Sequence, residues 1–197
     1  RHQEAADGSA SDIWVIDATG QGRWRIGGLT LALAAEVAVI TGTTELAPST
    51  DFPTHDVLSV GAAVRASLGN RLVGGVMDLV FASGDGNIDD ANQNTFRVDR
   101  NYEMGLFLFR HVLAAQTARG VATAGDPQLV GVPANDLDRI ATRGSVTNTL
   151  AVFPRVAVRP ARGLEIYGGP LFAFALRPPV DPFTTRLDGG GEPRNHL

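Results

Sequence analysis

Several segments alternate apolar residues with polar ones, and within each segment the charged side chains stand at polar positions of one parity. If the segments are extended strands paired in register, these charges would share one surface. The eight that recur in this way are Arg23, Arg25, Glu36, Arg65, Asp78, Arg155, Arg159 and Glu165. Guanidinium and carboxylate groups on a common wet surface can sort solutes by charge or create a field across a narrow passage. The alternative is that they only pair with one another and hydrate. The pattern leaves both roles open.

An acidic stretch offers a pattern for metal binding. Asp85, Asn87 and Asp89 repeat the D-x-N-x-D start of a calcium loop, and Asp90 adds a further carboxylate. Calcium takes six to eight oxygen ligands from a sharply bent loop. Here Asp90 replaces the expected glycine, and no glutamate follows at the twelfth position. A calcium site and a solvated acidic loop are therefore the two interpretations of this stretch.

Other patterns of chemistry are missing from the sequence. The four histidines are scattered, and the chain contains no cysteine, no lysine and no G-x-S-x-G elbow. A thiolate metal site, a Walker A phosphate loop and the common hydrolase nucleophile therefore have no candidate. The 17 basic residues are all arginine, the net charge is −4 and no basic patch stands out. We expect no enzyme, no cofactor other than calcium and no nucleic-acid partner.

Alternation of apolar and polar residues predicts that extended strands position these charges. Residues 12–26 form the first predicted strand, in which Trp14 and Trp24 share the parity of the apolar residues. Gly27-Gly28 predicts a two-residue hairpin turn into a second strand over residues 29–42. That turn places Ile26 opposite Leu29 and keeps the apolar residues of both strands on one face, whereas a slip of one residue would mix the faces.

Two further pairs of strands follow. Residues 56–68 and 71–83 flank Gly69-Asn70, and a two-residue turn there places Ala66 opposite Val73. Residues 146–159 and 164–177 flank a turn at residues 160–163. Pro154 and Pro170 lie inside these last strands and remove hydrogen-bond donors, so we expect a bulge or a local edge near them.

The connections alternate in length. The turns within each pair are short, whereas the connections at residues 43–55 and 84–145 and the tail from 178 are long and polar. Tyr102 to Ala118 has helical spacing of apolar residues, which predicts a helix in the long loop; a seventh strand is the alternative. Six strands are fewer than the eight of the smallest outer-membrane barrels. We therefore expect a fragment of a larger barrel, with strands before and after it.

The strand pattern predicts a membrane crossing. Ten residues from Trp14 to Trp24, at ~3.3 Å each and tilted by about 40°, rise roughly 25 Å, which is the height of the apolar band of such a barrel. Phe81 would join both tryptophans at the membrane interfaces. No uninterrupted apolar run approaches the length of a membrane helix. The predicted fold class is an all-β antiparallel transmembrane β-barrel; a soluble β-sandwich is the rival.

One stretch resembles a known family. Leu79 to Asp90, reading LVFASGDGNIDD, and Asn94-Thr95-Phe96 resemble large Gram-negative outer-membrane barrels of the alginate-export and porin-like kind. The resemblance covers residues 56–110 and is architectural elsewhere. It implies a barrel in the outer membrane that passes small solutes or a polysaccharide through its lumen, with the lipid bilayer as a partner. The rival is a structural barrel that anchors an envelope complex, with its lumen plugged by residues 84–145.

Overall fold

The computed structural model describes residues 2–4, 8–46, 52–85, 90–99, 101–105 and 145–177, and within these ranges the chain is all-β. Nine strands are formed: β1 (His2–Glu4), β2 (Ala10–Ile26), β3 (Leu29–Thr44), β4 (His55–Gly69), β5 (Val73–Ala82), β6 (Asn92–Gln93), β7 (Thr149–Ala161), β8 (Leu164–Gly168) and β9 (Phe172–Ala175). Among the described residues, no helix is long and apolar enough to span a membrane.

The strands form one sheet in the order β1-β2-β3-β4-β5-β7-β8. All neighbours on this path are antiparallel, β9 continues beside β7, and the two-residue β6 pairs with β4 in parallel. The strands of the described residues do not close into a barrel. Its outer edges, in the described part of the chain, are β2 with the short β1 beside it and β8 with β9.

The first hairpin has the predicted register. Ile26 pairs with Leu29 and Trp24 with Leu31, and the pairing continues to Ser11 and Thr44. Gly27 and Gly28 have φ of 53° and 87°. Positive φ at both central positions is what a two-residue turn with the right-handed strand twist requires, and glycine adopts it without steric cost. The prediction from the turn residues is therefore confirmed.

The predicted register of the second hairpin is wrong by four residues. Ala66 pairs with Met77 rather than Val73, and the last pair before the turn is Gly69 with Gly74. The side chain of Asn70 explains the longer turn, because its Oδ1 accepts hydrogen bonds from the backbone N–H groups of Leu72 (2.8 Å) and Val73 (3.0 Å). A shift of four is even, so every residue keeps its predicted face.

The last strand is divided where prolines were expected to weaken it. The pairs Val158 with Ile166 and Leu150 with Phe174 share one register, which sets Pro154 opposite Pro170. Neither proline has an N–H to donate, so the ladder stops and the predicted strand 164–177 becomes β8 and β9. The register also shifts between Val158 and Ala161, which is a bulge ahead of the turn at Gly163.

Other boundaries also differ from the predicted ones. β1 and β6 were not predicted, and β6 lies inside the predicted loop 84–145. β7 begins at Thr149 rather than at residue 146. The predicted helix cannot begin at Tyr102, because Gly105 has a φ of 98°, which a right-handed helix does not admit. Residues 106–118, the remainder of that predicted helix, lie outside the described residues, as does residue 178 onward.

The two faces of the sheet differ in composition and in how far other residues bury them. One, the apolar face, carries the even-numbered residues of β2, β4, β7, β8 and β9 and the odd-numbered residues of β3 and β5. Its large side chains stay exposed, from Trp14 (67%) on β2 to Ile166 (60%) on β8. The other, the polar face, carries the buried cluster of Val80, Met104, Val146, Ala151 and Phe153.

Candidate functional site

The strand registers bring all eight charges that the sequence analysis placed on one surface to the polar face. One row across the sheet contains Gln21, Ala34, Arg65, Asp78 and Phe153, and the next row toward the hairpin turns contains Arg23, Ala32, Ser67, Val76 and Arg155. Glu36 lies on the same face one row from Ala34 in the opposite direction. Arg25, Arg159 and Glu165 lie near the turns. The charges of six strands, β2, β3, β4, β5, β7 and β8, therefore lie on one face of the sheet.

Asp78 is the centre of the most ordered part of this surface. Its side chain is 5% exposed and accepts hydrogen bonds from two arginines. Arg65 Nε donates to Oδ1 at 2.5 Å and its Nη2 donates to Oδ2 at 3.3 Å, while Arg155 Nη2 also donates to Oδ2. A buried carboxylate is tolerated when charge-assisted hydrogen bonds replace its hydration. The triad carries a net charge of +1.

Arg155 is held by aromatic rings as well as by Asp78. Its guanidinium carbon lies 4.8 Å from the ring centroid of Phe153 and 5.6 Å from that of Tyr167. Such positions attract a cation through the quadrupole of the ring. The Nε atom of Arg155 is buried and has no hydrogen-bond partner. The side chain therefore lies flat on the polar face instead of extending into solvent.

A covering segment, residues 94–99 and 101–105, folds back over the polar face. Phe96 N–H donates to Ser83 O at 3.0 Å, and Val98 N–H donates to Val146 O at 3.0 Å. A Cβ at Gly61 would collide with the ring of Phe96, so the absence of a side chain there allows the close approach. Met104 is 2% exposed within the buried cluster. The main apolar core of the described chain is thus on the charged side of the sheet.

Tyr102 connects the covering segment to the charged triad. Burial raises the pKa of its phenol above the usual value, and the negative charge of Asp78 raises that pKa further. Arg65 and Arg155 oppose this increase. Tyr102 packs against the buried cluster that contains Phe153, the residue paired with Asp78. A crevice of about 290 Å³ is lined by Phe96 and Tyr102 of the covering segment and by Glu36, Ala38 and Gly61 of the sheet.

The remaining charges lie closer to the hairpin turns. Arg159 Nε donates to Glu165 at 2.5 Å, in a pair of which both members are partly exposed. Arg23 and Arg65 border a trough of about 340 Å³ whose floor is made by Ala32 and Ala34. The trough is open to solvent and has room for a small solute.

The three aromatic residues predicted at membrane interfaces share the apolar face. Trp14 lies toward the long connections and Trp24 toward the hairpin turn, and the latter is 49% exposed. The Trp24 ring lies over Gly22, where a Cβ would collide with it. Phe81 pairs with Ala62 and Leu150 and is partly buried. The described geometry agrees with a shared face, and the interface role stays a prediction.

The calcium prediction lies only partly within the described residues. Asn87 and Asp89 fall outside them. Asp85 is buried and its Oδ2 accepts a hydrogen bond from the backbone N–H of Asn94 at 3.0 Å, while Asp90 Oδ1 accepts one from Asn92 at 2.7 Å. In the described part of the chain, no three carboxylate, histidine or thiolate groups cluster to hold a metal ion. Both described carboxylates therefore shape turns of the backbone.

Two polar residues that the sequence analysis did not single out organise the ends of the strands. Asn148 is 1% exposed, and its amide both donates to Arg177 O and accepts from Arg177 N–H, at 2.9 Å each. Ser83 Oγ accepts from Val60 N–H at 2.9 Å and donates to Asn94 O at 2.7 Å. The run Thr147-Asn148-Thr149 is polar before an apolar strand, and this signal could have marked a buried turn.

Comparison with protein-family models, with curated proteins and with solved structures finds no match to this chain.

Proposed function

We propose that this chain forms part of a transmembrane β-barrel of a bacterial outer membrane and acts as a channel for solutes. The main support for this proposal is that the apolar face is exposed along six neighbouring strands. The opposite face carries the charges and the buried cluster. Exposed apolar surface costs about 25 cal/mol per Å² in water, and patches beyond a few hundred Å² mark contact surfaces. Acyl chains would remove that cost over the whole face.

Strand length supports the same proposal. β2, β3 and β4 contain 17, 16 and 15 residues. A crossing strand needs about 9–11 residues, whereas strands of soluble sheets are usually about 5–6 residues long. The rival β-sandwich needs a second sheet against the apolar face, and the described strands all belong to one sheet. Lipid is therefore the favoured neighbour of this face.

The polar face supports transport rather than simple anchoring through its open trough and charged rows. In a closed barrel this face would line the lumen, where guanidinium groups bordering a trough would favour anionic over cationic solutes. The charges are not all neutralised by one another, because Arg23 and Arg25 are exposed and have no ion-pair partner among the described residues. The solute could be small or a polysaccharide chain.

A second function is favoured by the covering segment. Phe96, Val98 and Met104 pack against the face that would line the lumen, so the same barrel could be plugged and serve as an anchor for an envelope complex. Conductance in a planar bilayer separates the two functions. Steady open pores with an anion preference support the channel, and a silent barrel that is inserted in the bilayer supports the anchor.

Membrane embedding is tested by site-directed spin labelling at two neighbouring residues of β3. The chain contains no native cysteine, so Leu33→Cys and Ala34→Cys each provide one labelling site. Leu33 lies on the apolar face and Ala34 on the polar face, and both are exposed. In bilayers, the label at Leu33 should be relaxed more by oxygen and the label at Ala34 more by a polar nickel complex. Equal accessibility at both sites would overturn the proposal.

A further inference from the structure

Charge is distributed unevenly along the strands. Residues 20–35, 64–78 and 154–168, which contain the three hairpin turns, carry seven arginines and two carboxylates. The other described residues from 8 onward carry nine carboxylates and two arginines, Arg97 and Arg177. The described residues of the hairpin end therefore sum to a net charge of +5, and the other described residues from 8 onward sum to −7. The alternation of apolar and polar residues along the strands does not require this separation of positive from negative charge.

Two of the arginines at the hairpin end are unpaired at the tips of adjacent turns. Arg65 and Arg155 bind Asp78, and Arg159 binds Glu165. Arg71 and Arg162, by contrast, are exposed and have no hydrogen-bond or ion-pair partner in the described structure. Their charge is therefore available to an external anion.

The two turns are held together as one surface. Arg159 N–H donates to Leu72 O at 2.8 Å, and its Nη1 donates to Asn70 O at 3.4 Å, so β7 is bonded to the β4–β5 turn. A groove of about 840 Å³ runs between the turns and includes Arg71 and Arg162 in its lining. Its walls are connected by these hydrogen bonds, and both arginines border the same groove.

Exposed leucines accompany the unpaired arginines. Leu72 is 63% exposed beside Arg71, and Leu164 is 49% exposed two residues after Arg162. Leucine favours acyl chains, while a guanidinium group forms paired hydrogen bonds with phosphate oxygens. Side chains of these two kinds, next to each other at the end of a membrane-crossing strand, match the boundary between acyl chains and headgroups.

We propose that this groove, the hairpin-end groove, binds the headgroups of anionic phospholipids in the leaflet that the hairpin turns reach. The inference rests on the proposed membrane embedding and adds to it a preferred lipid and an orientation. Its basis is charge complementarity, since the described residues at the hairpin end carry a net charge of +5 and would face the anionic surface. Arginine near an anionic surface strengthens association about fivefold per residue.

Lipid selectivity provides the test. The full chain is reconstituted in phosphatidylcholine bilayers, and spin-labelled phosphatidylglycerol and phosphatidylcholine are compared for the fraction held at the protein surface. We expect a preference for phosphatidylglycerol that decreases about two- to fivefold in Arg71→Gln and in Arg162→Gln, and more in the double variant. Arg177→Gln removes the same charge at the opposite end and should leave the preference unchanged. High salt should weaken the preference in the native chain.

The outcomes separate this inference from the proposed function. If spin-labelled lipid is not immobilised at all, the chain is not embedded and the proposed function is wrong. If both lipids are immobilised equally, or if Arg177→Gln lowers the preference as much as Arg71→Gln, embedding stands and the headgroup site is wrong. If an acidic peptide competes in solution while the lipid preference is absent, the groove binds a protein partner and the inference is overturned.

Discussion

Arg155 reaches Asp78 diagonally across two neighbouring strands. Asp78 is paired with Phe153, and Arg155 is paired with Val76, so the hydrogen bond joins residues in adjacent rows of the polar face. The arginine crosses the ring of Phe153 on its way. Asp78 thereby connects β4 through Arg65 and β7 through Arg155. The carboxylate is a structural centre of the sheet as well as a charge in the proposed lumen.

Removing the charge of Asp78 should therefore destabilise the sheet far more than removing one exposed partner. Breaking a buried ion pair costs about 3–5 kcal/mol, whereas an exposed arginine contributes about 0–1 kcal/mol. We expect Asp78→Asn to lower the free energy of unfolding by about 3 kcal/mol and Arg65→Gln, with a side chain 63% exposed, by less than about 1 kcal/mol. Urea unfolding in lipid or detergent measures both. Equal losses would contradict the central role of Asp78.

The register of the second hairpin can be tested by disulfide formation. Directly opposed residues in an antiparallel pair have Cα atoms about 4.5–5.5 Å apart, which suits a disulfide. We expect Ala66→Cys with Met77→Cys to oxidise readily. Ala66→Cys with Val73→Cys, the pair demanded by a two-residue turn, should remain reduced because Val73 lies four residues from the partner of Ala66. Oxidation of the Ala66–Val73 pair and not of the Ala66–Met77 pair would show that the turn has two residues.

Asn148 should not tolerate replacement of its amide by a carboxylate. Its Nδ2 donates to Arg177 O and its Oδ1 accepts from Arg177 N–H, with φ of 50° at Asn148 itself. An aspartate keeps the acceptor but cannot donate, so Asn148→Asp should lose about 1–3 kcal/mol of stability. Gly84→Ala should act through the same contact, because a Cβ at Gly84 would collide with the amide. Unfolding curves for both variants check this, and unchanged stability of both would contradict it.

Contact of the covering segment with the sheet should weaken in alkaline solution. The pKa of Tyr102 is raised in the folded chain relative to the unfolded one, so the neutral phenol is the form that the fold favours. Its stabilising contribution is complete below about pH 10 and is lost as the pH rises through the raised folded-state pKa. The tyrosinate absorbance of Tyr102 should therefore appear late in a titration. Tyr102→Phe should abolish that late step, and a late step that persists in this variant would contradict the assignment.

Arginine on each face of β3 should report the environment of that face. At mid-bilayer, an arginine on the lipid side costs roughly 2–4 kcal/mol. We expect Val37→Arg, on the apolar face, to lose that amount, and Ala34→Arg, on the polar face, to lose less than about 1 kcal/mol. Both positions are exposed, so a water-soluble sheet would tolerate both changes about equally. Equal tolerance in bilayers would argue against embedding.

Several features of the sheet are predictable because they depend on neighbours in the chain. The parity of Leu31, Val64 and Met77 on the apolar face follows from the two-residue period of a strand. The first register follows from Gly27 and Gly28, which admit positive φ at both turn positions. Pro154 and Pro170 mark the interrupted ladder because neither has a donor. These effects are local, so the sequence by itself determined them.

Other features depend on contacts between distant residues and were decided only by the tertiary structure. The exact partner of Arg155 depends on how β7 aligns with β5 across a long connection, and alternation permits any even shift. The side-chain hydrogen bonds of Asn70 stabilise a turn longer than the two-residue turn that Gly69-Asn70 predicted. Phe96 and Met104 pack on the polar face, where small residues such as Gly61 and Ala151 leave space for them. Such packing depends on three-dimensional complementarity, which a one-dimensional pattern of polarity does not contain.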